Sequence, residues 1–135
     1  MRKFWVLIMV MVSLWIAVHA EAANTAVITG NRIVIAGDAI ADDGDFDVWT
    51  ALGWTPGTEK VTIEYYCWYG AAIAVGDVCE LETADGKPIG APMIAVVADQ
   101  TLCHPPINTT VDRLYVDQLG HGSIVIIIHQ VGTPK

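Results

Sequence analysis

The side chains best suited to nucleophilic, redox or metal chemistry are Cys67, Cys79 and Cys103, with His104, His121 and His129. A thiolate beside an imidazole makes a nucleophile, but that requires one cysteine within hydrogen-bond reach of one histidine beside a pocket. No spacing in the chain imposes such a pair. There is no G-x-S-x-G, Walker loop, G-x-G-x-x-G or H-E-x-x-H pattern. Zinc needs four suitably spaced ligands, and neither a C-x-x-C nor an H-x3-H pair occurs. The adjacent Cys103-His104 does not replace one, because neighbouring side chains do not converge without a turn. A non-enzyme is therefore expected, with no catalytic residue, metal or cofactor, and a cysteine-dependent enzyme is the least favoured reading.

Three cysteines admit one bridge and one leftover thiol, or a cross-link between chains. Cys67 and Cys79 lie on apolar faces of strands consecutive in sequence, which makes them the preferred pair; Cys103, beside Pro105 and Pro106, then stays free or joins two chains. Three buried free thiols are the alternative. The run Asp42-Asp43-Gly44-Asp45-Phe46-Asp47, with Asp38 nearby, concentrates oxygen ligands. It lacks the glycine that an EF-hand loop needs at its sixth position, so a solvated acidic loop is expected. Asn108-Thr109-Thr110 fits a glycosylation acceptor pattern.

Trp49, Trp54, Tyr66 and Trp68 form the aromatic set. Exposed together on a sheet, such rings hold sugars or another protein by stacking; the competing assignment is core packing. Strict alternation puts Val61, Ile63, Tyr65, Cys67 and Tyr69 on one face of a strand and Thr62, Glu64, Tyr66 and Trp68 on the other. Tyr66 and Trp68 are accordingly expected to share an outward face opposite Cys67.

The elements positioning these residues read as strands. Apolar alternation and β-branched runs recur at residues 26–29, 32–36, 46–50, 61–69, 77–83, 87–97, 111–119 and 123–131, separated by turn residues. About seven or eight strands result, spaced as in a small antiparallel β-sandwich or barrel. Gly30-Asn31 suits a tight hairpin turn, Pro88 and Pro92 suit an edge, and Gly120-His121-Gly122 is expected to close a last hairpin. Ile124-Val125-Ile126-Ile127-Ile128 is apolar on both faces, which places it centrally or against a partner chain.

Residues 1–22 begin with Arg2 and Lys3, continue through an apolar run over 4–18 broken only by Ser13, and end in Ala20-Glu21-Ala22. These are signal-peptide features and predict a leader helix, with the mature β domain spanning 23–135. An uncleaved anchor is the alternative, although a span takes about 20 apolar residues. Membrane contact is expected only if the leader is retained. The chain has 15 acidic against 7 basic residues, a net charge of −8, which repels a phosphate backbone and excludes nucleic acid as an expected partner.

Ala23-Asn24-Thr25-Ala26-Val27-Ile28-Thr29-Gly30-Asn31-Arg32, the segment 78–83 before Asp85-Gly86-Lys87, Pro105-Pro106-Ile107 and residues 114–122 together resemble short β-rich proteins of tailed bacteriophages and prophages. The resemblance implies a virion-associated or assembly module, oligomeric and working by surface complementarity. The leader sets the same scaffold outside the cytoplasm, as a secreted, periplasmic or cell-surface protein. Two readings follow. One is a structural, self-associating β module whose partner is a protein or another copy of the chain. The other is a domain that binds a surface glycan or similar ligand through Trp49, Trp54, Tyr66 and Trp68.

Overall fold

The computed structural model describes residues 24–36 and 46–130; the expected leader helix and the acidic run from Asp42 to Asp45 lie outside them. The described residues form two antiparallel sheets. The larger has six strands: β1 (Thr25–Thr29), β2 (Arg32–Ala36), β10 (Ser123–Gln130) and β4 (Val61–Tyr69) run in that order, and β4 is flanked by both β7 (Leu102–Cys103) and β8 (Thr109–Val111). The smaller has the order β3 (Phe46–Asp47), β9 (Leu114–Leu119), β5 (Val78–Thr83) and β6 (Met93–Ile94). One hydrophobic core draws on both, with Ile33, Ile35, Ile63, Ile124 and Ile126 from the larger sheet and Cys79, Leu81, Val116 and Leu119 from the smaller. Each large apolar side chain removed from water contributes about 1.5–3 kcal/mol.

Several expected strands are shorter than their patterns suggest. Residues 46–50 become a two-residue strand and a short helix, α1 (Val48–Leu52), because Asp47 supplies an N-cap. Its Oδ1 accepts from the backbone N–H groups of Trp49 and Thr50 at 3.1 and 3.3 Å, and its Oδ2 accepts from the Thr50 hydroxyl at 2.7 Å. Gly53, at a φ of 70°, ends the helix by donating to the Thr50 carbonyl. Of the expected strand 87–97 only Met93–Ile94 pairs as a strand, since Pro88 and Pro92 cannot donate to a ladder. The expected strand 111–119 breaks at Asp112-Arg113, with β8 in one sheet and β9 in the other.

Gly120-His121-Gly122 does not close a hairpin, because β9 and β10 also belong to different sheets. The crossing is tight: a Cβ on Gly122, at φ 87°, would stand 2.6 Å from the Tyr69 carbonyl oxygen. The Trp68 indole N–H donates to the His121 carbonyl at 2.6 Å and fixes the same corner.

The feature that most changes the face assignments is a β-bulge between β4 and β10. Ile127 pairs with Tyr65 and Ile128 with Ile63, so Glu64 has no opposite residue on β10. One extra residue reverses the alternation. Val61 and Ile63 face the core before the bulge, and Tyr66 and Trp68 face it afterwards, leaving Tyr65, Cys67 and Tyr69 outward. The bulge is held from β4's other side, where Ile107 N–H donates to the Glu64 carbonyl at 2.7 Å and His104 N–H to the Tyr66 carbonyl at 2.8 Å.

Asp47 also receives two bonds from the Arg113 guanidinium, at 2.6 and 3.1 Å. Partial burial pushes its carboxyl upward, but the bonds from Arg113 and Thr50 outweigh that and hold it below its ordinary value of 3.8. A depressed folded pKa adds stability that is complete above the unfolded value and is lost as pH falls through the folded one. Asp47→Ala should therefore cost about 1–2 kcal/mol at neutral pH. The gap between parent and variant should narrow in acid, as urea titrations at several pH values would show.

Candidate functional site

The aromatic set expected on an exposed platform is mostly interior. Trp49, Tyr66 and Trp68 are fully buried, and Trp54 is half-buried against Trp49, edge to face at 5.2 Å. The correction follows from the bulge, which turns Tyr66 and Trp68 inward, and from α1, which buries Trp49. The polar edges of both buried indoles serve the fold, since Trp49 donates to the Glu59 carbonyl and Trp68 to that of His121. These rings offer no shared stacking surface.

The cysteine pairing is corrected in the same way. Cys67 is bonded to Cys103, not to Cys79. Cys67 points outward from the larger sheet and lies directly opposite Cys103 on β7. Cys79 points inward from the smaller sheet and is buried and free. Strands β4 and β5 are consecutive in sequence but belong to different sheets, so no bridge joins them. With a sequence separation of 36, the Cys67–Cys103 bond stabilises by roughly 3–4 kcal/mol through restriction of the unfolded chain. It fits an oxidising, extracytoplasmic environment. No helix among the described residues is long and apolar enough to cross a membrane.

Cysteine chemistry finds little support in this geometry. Burial, together with the nearby Glu80 charge, pushes the Cys79 thiol up to about 12, far from an attacking thiolate at neutral pH. The three histidines in the described residues have structural partners. His104 accepts from the Ala91 N–H at 3.0 Å through Nε2, which leaves Nδ1–H to donate to the Pro105 carbonyl at 2.9 Å, and its ring stacks on Tyr66. Nδ1 of His121 lies 2.8 Å from Asp77 Oδ2, and Nε2 of His129 lies 3.1 Å from Glu64 Oε2. No group of acidic, histidine or cysteine side chains among the described residues has a metal-binding arrangement. Asn108 of the glycosylation pattern is exposed, just before β8.

A different surface emerges on the larger sheet. The strand registers set Val27 against Val34, Val34 against Val125, Val125 against Cys67, and Cys67 against Cys103. These residues form one apolar row across five strands, on the face turned away from the core. Ile127 and Tyr65 flank it on one side and Ala36 and Tyr69 on the other. Val27 is 56% exposed and Tyr69 38%, whereas Val34, Val125, Cys67, Tyr65 and Ile127 are half-buried. Among the described strands of this sheet the acidic and basic side chains are Arg32, Glu64 and His129, the last two 3.1 Å apart. The sequence shows Ile124 to Ile128 as apolar on both faces without saying which side chains turn outward, and it sets Tyr65, Cys67 and Tyr69 on the apolar face of their strand, because the bulge has no sequence signature of its own.

The outer face of the smaller sheet has the opposite character. Glu80 and Glu82 project from β5 beside Asp117 of β9, which bulges between the Glu80–Gln118 and Leu81–Val116 pairs. Partial burial, then the charges of Asp117 and Glu82, raises the Glu80 carboxyl; burial and Asp117 raise Glu82. Like charges are thus crowded on one face and nearly absent from the other.

Comparison of the chain with protein-family models, curated proteins and solved structures finds no match in any of the three. The functional reading therefore rests on the two faces themselves. Their covalent frame can be checked by peptide mapping. Without reduction, the peptide containing Cys67 should be linked to the one containing Cys103, and Cys79 should alkylate only after unfolding. A linked pair containing Cys67 and Cys79 would contradict the arrangement.

Proposed function

We propose that the chain is a non-enzymatic, extracytoplasmic structural module that associates with copies of itself through the outer face of its six-stranded sheet. The observation carrying this reading is the outward row Val27–Val34–Val125–Cys67, exposed at Val27 and half-buried beyond it, apolar from strand to strand in a chain of net charge −8. Apolar surface of this extent gains free energy when removed from water. Copies repel each other through the crowded carboxylates of Glu80, Glu82 and Asp117, so the nearly neutral face is where they approach at least electrostatic cost.

The resemblance to tailed-phage and prophage β proteins agrees with an assembly role, in a virion or, with the export leader, at a cell surface. The Cys67–Cys103 bond agrees with life outside the cytoplasm. Binding of a surface glycan by Trp49, Trp54, Tyr66 and Trp68 is disfavoured by the burial of three of the four rings. A cysteine-dependent enzyme is disfavoured because two thiols are bonded to each other and the third is buried and held protonated.

Sedimentation over a wide concentration range tests the proposal. The protein should associate reversibly, and Val34→Lys, which sets a charge in the middle of the apolar row, should weaken association at least about tenfold, or ~1.4 kcal/mol. A protein that stays monomeric throughout, or a variant that associates as tightly as the parent, would count against this face.

A further inference from the structure

The two sheets have four edges, and three of them are protected against further pairing. Strand β3 has two residues and runs straight into α1; β6 has two residues and follows Pro92. On the far side of the larger sheet, β7 and β8 are short, are separated by Pro105-Pro106, and include the bonded Cys103. Short strands and prolines are the usual means of blocking edge-to-edge association. Strand β1 has none of them, although α1 packs beside it. It pairs with β2 along its whole length without a register shift, and contains no proline and no charged residue.

Its backbone is also set up to accept another strand. A two-residue turn at Gly30-Asn31, with Gly30 at φ 60°, closes the hairpin at the Thr29–Arg32 pair. Alternation from such a turn directs the N–H and C=O groups of Thr25, Val27 and Thr29 towards β2, and those of Ala26 and Ile28 towards the free edge. No described strand pairs with that edge.

The sequence of β1 identifies a partner. Thr25-Ala26-Val27-Ile28-Thr29 is nearly palindromic about Val27. An antiparallel copy centred there sets Val27 beside Val27 and Thr25 beside Thr29 on the outer face. On the core side it sets the small Ala26 beside the larger Ile28. We propose that two copies of the chain join through β1 about a twofold axis at Val27, merging their larger sheets into one. This seam rests on the self-association proposed above as a second contact, made by a strand edge rather than by the outer face, which it leaves open. It continues the apolar row from Val125, Val34 and Val27 of one copy into the same residues of the next, and it brings no charges together in a strongly acidic protein.

Amide hydrogen exchange on the full chain tests the seam residue by residue. At high concentration the Ala26 and Ile28 amides should be protected, and dilution should release them. The Val27 and Thr29 amides, bonded within the hairpin, should stay slow in both conditions. Val27 is exposed enough for Val27→Lys and Val27→Glu to fold. Each variant alone should associate at least about tenfold more weakly than the parent, and an equimolar mixture should regain association because opposite charges then face across the axis. Association with the Ala26 and Ile28 amides still exchanging freely would overturn the seam while leaving self-association standing. A chain that never associates would overturn both.

Discussion

The rest of the architecture depends on the one unmatched residue in β4. Glu64 has no opposite partner on β10, and its insertion lets a single strand contribute Val61 and Ile63 to the core before the bulge and Tyr66 and Trp68 after it. Without that reversal, two of the largest core side chains would stand in solvent, and Cys67 would be turned inward, away from Cys103. The segment from β7 to β8 secures the bulge by donating backbone bonds to the Glu64 and Tyr66 carbonyls, while His129 meets the Glu64 carboxylate from β10. The disulfide then ties β7 to the strand whose reversal made the bond feasible.

From this reversal follows a division of labour between the two sheets. The inner faces share one core, and the outer faces diverge, one nearly neutral and apolar, the other crowded with Glu80, Glu82 and Asp117. Carboxylates with raised pKa values oppose the folded state at neutral pH, and the shared core together with the disulfide offsets that cost. Keeping such repulsion on one face leaves the other nearly free of like charge. A high net charge and an apolar outer face can coexist in a small protein on those terms.

The strand content, the Gly30-Asn31 hairpin and the central, double-sided apolar character of β10 were legible in the sequence, because each depends on local alternation or turn chemistry. The face assignments in β4 were legible only as far as Ile63, since periodicity carries no mark of an inserted residue. The cysteine partner was hidden for a topological reason: consecutive strands β4 and β5 lie in different sheets, whereas Cys103, distant in sequence, is directly opposite Cys67. The aromatic set forms no exposed platform because two of its members sit beyond the bulge and a third lies on a helix that Asp47 caps. The apolar outer face was visible only as an all-apolar strand, with nothing to say which of its residues turn outward.

Tyrosines provide markers for the two faces, with Tyr65 and Tyr69 on the neutral side and Tyr115, beneath the Arg113 guanidinium, on the smaller sheet. Photochemical tyrosine cross-linking of the associated protein, followed by peptide mapping, tests the central claim most directly. Links between copies should involve Tyr65 or Tyr69 and spare Tyr115. Intermolecular links concentrated at Tyr115, with none at Tyr65 or Tyr69, would contradict it.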